Sequence, residues 1–81
     1  MLGRAKPRLE AGEDLSFTVY WHSGGGHAMT FTNVREVEGV TSFLVHDTWT
    51  GKTAWVKKSD ILQATWPGIT ANRGLLCGLI G

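Results

Sequence analysis

Eighty-one residues make one domain at most, and a chain this short must place most of its large apolar side chains inside to hold a core. Eight basic and seven acidic residues leave a formal charge of +1, too little field to draw nucleic acid or an anionic membrane surface. One cysteine, Cys77, excludes a disulfide within these residues and fits a reducing, cytoplasmic setting.

No run approaches the roughly 20 apolar residues that a membrane span needs. Arg4, Lys6 and Arg8 have no apolar stretch behind them, so the start does not read as a secretory signal and the three charges read as a solvated helix start. Residues 1–12 predict that helix. Leu2, Ala5 and Leu9 share one face, Pro7 suits a first-turn position and Gly12 suits a C-terminal cap. From Leu15 to Trp21 the side chains alternate, with Leu15, Phe17, Val19 and Trp21 on one side and Ser16, Thr18 and Tyr20 on the other, which predicts a half-buried strand.

Ser23, Gly24, Gly25 and Gly26 break that strand as a loop. A second strand is expected over His27 to Val37, a turn at Glu38 and Gly39, and a third strand over Thr41 to His46. After a turn at residues 47–51, Lys52 to Val56 returns as a fourth strand, with Gly51 available for a left-handed conformation. Ser59 is placed to cap a short helix with Asp60 in its first turn, ended by Trp66, Pro67 and Gly68. The rest reads as loop and an apolar tail, Gly74 to Gly81, too sticky to stay exposed and therefore packed on the domain or on another copy. Strands joined by short turns and flanked by two helices predict one α+β domain, residues 1–81, on a four- to five-stranded antiparallel sheet.

Within this plan, His27 opens the second strand and Asp47 follows the third. Antiparallel neighbours bring the start of one beside the end of the other, so the two side chains are expected at one rim of the sheet. A carboxylate beside an imidazole fixes the tautomer, orients the ring and stabilises its protonated form, which is the base-and-orienter half of a nucleophilic triad. Gly25 and Gly26 allow a ligand backbone to come close, and Trp49 in the adjoining turn is the best-placed of the four tryptophans for a binding face. The alternative for these residues is a simple strand-edge contact beside a flexible turn, with the tryptophans in the core.

Metal binding is not expected, since His22 and His27 straddle the glycine loop and alternation turns His46 away from Asp47. No cofactor is expected, because the glycine triplet lacks a Lys-Ser/Thr partner and opens no helix. Cys77 lies in an apolar run without a cation or helix start to lower its pKa, and reads as a packing residue.

The run from Leu9 to Gly68, with Gly25-Gly26-His27-Ala28, His46-Asp47-Thr48-Trp49-Thr50-Gly51 and Ser59 to Trp66 in order, resembles the C-terminal half of papain-like cysteine peptidases, nearest to the bacterial, bacteriocin-processing, double-glycine type. The resemblance spans about residues 8–68. It implies the sheet half of a papain-like fold, with His27 as the catalytic histidine and Asp47 as the catalytic aspartate. Thr48 departs from the proline of that family, and these residues hold no counterpart of its cysteine-bearing helix or its oxyanion glutamine. His27 and Asp47 are therefore expected to be vestigial or partner-dependent. The first expectation is a non-catalytic binding module for a peptide or small molecule, ligand-bound through Gly25, Gly26, His27 and Trp49. Such a half-domain is expected to leave an apolar sheet face uncovered and so to form a homo-oligomer. The alternatives are the His/Asp subunit of a split cysteine peptidase or transferase whose thiol comes from a partner chain, and a small structural β-domain.

Overall fold

A computed structural model describes residues 2–80. Met1 and Gly81, the outer ends of the expected helix and of the apolar tail, lie outside them. The order is α1 (Leu2–Glu10), β1 (Leu15–Trp21), β2 (Gly26–Val37), β3 (Val40–His46), β4 (Thr53–Lys57), α2 (Lys58–Leu62) and β5 (Gly74–Ile80). The fold is α+β, with one antiparallel sheet in the order β4-β3-β2-β1-β5.

Helix α1 buries Leu2, Ala5 and Leu9, the face its spacing predicts. It ends as Gly12 turns left-handed at φ 90, with Gly12 N–H bonded to Leu9 C=O and Glu13 N–H to Arg8 C=O, the paired bonds that close a helix on glycine. Pro7 is inside the helix and not in its first turn. Burial of Leu2 and Ala5 extends the helix toward the N-terminus and leaves the proline in the interior.

One face of the sheet forms the core. Leu15, Phe17 and Val19 of β1 lie beside Met29 and Phe31 of β2, and these beside Phe43 and Val45 of β3. Phe17 and Phe31 stack with centroids 4.2 Å apart, and Trp66 stacks on Phe17 at 5.6 Å. Leu2, Ala5, Leu9, Ile61, Trp66 and Ile69 close this core. Helix α2 touches β3 and β4 at one edge and β5 at the other, so the sheet curls around its own apolar face. That face, expected to be uncovered, is thus covered by α1, α2 and the segment after α2.

Two expectations near the C-terminus are corrected. Ser59 is not a cap: Lys57 holds that position without a side-chain bond and Ser59 lies inside α2. The helix also stops at Leu62 and does not run to Trp66. Ala64 turns left-handed at φ 62, and Ala64 and Thr65 N–H bond back to Ile61 and Asp60 C=O. The early stop lets Trp66 enter the core, 1% exposed, where its Nε1–H donates to Gly74 C=O at 3.0 Å. The apolar tail is the fifth strand, paired with β1, because Trp66 and the Gly74 N–H bond to Ala64 C=O deliver Gly74 to that edge.

The β2–β3 hairpin turns on Glu38 (φ 52) and Gly39 (φ 79), two left-handed residues of which only glycine is free of strain. Asparagine tolerates that conformation better, so Glu38→Asn is expected to stabilise the domain by about 0.5–1 kcal/mol, read by urea unfolding. At Gly74 a Cβ would overlap the side chains of Val19 and Trp21. Gly74→Ala is therefore expected to destabilise by roughly 1–3 kcal/mol in the same measurement.

Candidate functional site

Alternation along the core face decides what stands at its rim. In β1 the inward row Leu15, Phe17, Val19 ends in Trp21. Val19 pairs with His27, so the inward row of β2 begins with that histidine. In β3 the row Phe43, Val45 continues one residue past the strand to Asp47. Three neighbouring strands thus place an indole, an imidazole and a carboxylate where the apolar core ends.

His27 Nε2 lies 2.9 Å from Asp47 Oδ1. The last β2–β3 pair is Thr30 with His46, so the bond forms beyond the ladder, where β3 has turned into the 47–51 loop. Asp47 shapes that loop. Its N–H donates to Lys52 C=O, its C=O accepts from Gly51 N–H, and Oδ1 accepts from Trp49 N–H at 2.9 Å and Thr50 N–H at 3.4 Å. Gly51 takes the left-handed conformation (φ 75) that closes the turn.

Asp47 is 5% exposed. Burial by itself would raise its pKa, but the hydrogen bond from His27 and those from the Trp49 and Thr50 N–H groups outweigh burial and hold it below the usual carboxylate value. An ionised Asp47 accepts from Nε2–H, which sets the tautomer and leaves Nδ1 of His27 without a partner among the described residues. Trp21 stacks on the ring at 5.9 Å and 22°, and Trp49 meets it edge-on at 5.8 Å and 83°. With two rings and one carboxylate around it, the imidazole has one orientation.

These groups line an open groove of about 460 Å³ with Gly26, Thr50 and Lys52 on one side and Ile69, Thr70, Ala71 and Asn72 on the other. Trp49 is 88% exposed and stands at its mouth. Gly26 lines the groove, whereas Gly25 shapes the preceding turn at φ 82, its C=O accepting from Trp21 N–H. His46 faces the other side of the sheet and pairs with Thr53 Oγ1 through Nδ1, as alternation predicts. His22 is exposed in the turn after β1. Among the described residues no three His, Cys, Asp or Glu side chains converge on a possible metal position.

Sequence reasoning missed the wall at residues 69–72. Those residues read as loop, and only burial of Trp66 and Ile69 brings them beside His27. It also missed Trp21 as a stacking partner and Lys52 as a groove residue, though the alternation ending at Trp21 carried the first signal. Cys77 is exposed and not packed. It pairs with Thr18, on the opposite face from Val19 and His27, so its sulfur and the imidazole lie on opposite faces of the sheet. No protein-family model, curated protein or solved structure matches this chain. No helix among the described residues is long and apolar enough to cross a membrane.

Because the folded pKa of Asp47 is lowered, its carboxylate contributes stability that is complete above the unfolded-chain value of about 3.9 and is lost as pH falls through the lower folded value. Asp47→Ala strands the His27 and Trp49 N–H groups and is expected to destabilise by roughly 2–4 kcal/mol near neutral pH. Asp47→Asn keeps an acceptor oxygen, so it is expected to cost less and to flatten the acid limb of stability against pH, followed by thermal unfolding at a series of pH values.

Proposed function

We propose that this chain is a non-catalytic binding module, a His/Asp half-domain of papain-like descent whose groove holds a peptide or small molecule against His27 and Trp49. One observation carries the reading: the His27–Asp47 pair is fully oriented at the edge of an open groove, while the one thiol in these residues is on the far side of the sheet. The exposed indole of Trp49 supplies apolar contact area, and the imidazole a directional hydrogen bond. The order of the motifs around His27, Asp47 and the helix after them supports the descent.

The reading includes association. Tyr20 and Leu75, register partners on the outer face, are both more than half exposed and offer apolar area to a second copy or to another chain. Light scattering of the purified protein reads this, with a mass above one chain expected.

A second reading is favoured by the free Nδ1 of His27. With Nε2–H held by Asp47, Nδ1 is the lone pair that a general base uses, so a thiol supplied by a partner chain would complete a split cysteine peptidase or transferase. Incubated alone with peptide substrates in reducing buffer, the protein is expected to release no product. Hydrolysis that depends on thiol and disappears in His27→Ala would refute the binding-module reading. Trp49→Ala is expected to weaken peptide binding about tenfold or more while leaving the unfolding midpoint unchanged, since the indole is exposed and touches little of the core. Unchanged binding in that variant would count against the groove as the site.

A further inference from the structure

Asp47 lines the groove with its charge met on one carboxylate oxygen. Its Oδ1 is taken by His27, Trp49 N–H and Thr50 N–H, and the residue is almost wholly buried. No other acidic side chain lines the groove. Basic groups line it too. Lys52 is exposed on its wall and makes no ion pair among the described residues, and His27 keeps Nδ1 unpartnered. A second depression of about 420 Å³ adjoins the groove, sharing Lys52, Ile69, Thr70 and Ala71 and adding Pro67 and Gly68.

We propose that this groove binds the C-terminal carboxylate of a polypeptide, with the carboxylate between His27 and Lys52 and the preceding residues lying along Ile69 to Ala71 toward Gly68. The inference rests on the groove-binding reading above and names its ligand class. With Nε2–H held by Asp47, a protonated Nδ1 donates to the ligand carboxylate from the other side of the ring. Lys52 adds a second cation without fixed geometry. The titratable groups facing the ring are Asp47 and Lys52, both from the 47–52 turn. The inward face of β1 presents Trp21, and residues 69–72 carry no titratable side chain.

The test uses ¹⁵N-labelled protein and amide NMR titrations with acetyl-trialanine as the free acid, its C-terminal amide, and acetate. The free acid is expected to shift Trp49, Lys52 and Asn72 and to bind about tenfold more tightly than the amide, a ratio set by one charge-assisted bond. Its affinity is expected to fall several-fold in Lys52→Gln. Equal binding of acid and amide would overturn the carboxylate assignment while leaving the groove as a peptide site. Acetate binding as tightly as the tripeptide acid would overturn the polypeptide as ligand. The absence of any shift at these residues with either peptide would overturn both the inference and the groove reading beneath it.

Discussion

A carboxylate removed from water is unfavourable unless its charge is met, and at Asp47 three donors meet it on one oxygen. Two of them are backbone N–H groups of the turn that Asp47 itself begins, and the third is the imidazole of a different strand. The same atom therefore closes the 47–51 turn and orients His27. Remove the carboxylate and the turn loses its internal acceptor at the moment the imidazole loses its partner. The groove depends on this bond, because Trp49 is held at the mouth by the turn and His27 is one of the lining residues.

The surroundings make the pair specific. Trp21 stacks along one side of the imidazole and Trp49 closes the other, so the ring has little rotational freedom. Gly74 lies where any Cβ would strike Trp21, which ties the closing strand β5 to the geometry of the ring. Trp66 anchors the segment that forms the far wall, through its burial and its bond to Gly74 C=O. Core packing and groove shape are thus linked through a few aromatic side chains and one glycine.

The chemistry this arrangement supports is limited by what faces it. An imidazole with its Nε2–H committed to a carboxylate is a base or a charged donor at Nδ1. With the sulfur of Cys77 on the other face of the sheet, a thiol must come from outside these residues for the first use, whereas the second needs only a ligand. Lys52 and the exposed Trp49 suit the second, which is why recognition is preferred to catalysis in our reading.

Much of this was legible in the residue order. Alternation from Leu15 to Trp21 and turn residues at Glu38-Gly39 and Gly51 set the strands to within a residue or two, period two put Trp21 on the side of Leu15, Phe17 and Val19, and antiparallel pairing brought His27 and Asp47 to one rim. These are local properties, set by backbone geometry and by which side chains seek burial. What followed residue 58 was not legible in the same way. The stop of α2 at Leu62, the left-handed Ala64, the entry of Trp66 into the core and the pairing of residues 74–80 with β1 depend on contacts between segments distant in sequence. So does the wall at residues 69–72 that turns an oriented histidine into a groove, and the side of the sheet on which Cys77 lies. Periodicity says which face a side chain takes within its own strand, but only tertiary packing decides which strand lies beside it and what lies across from it.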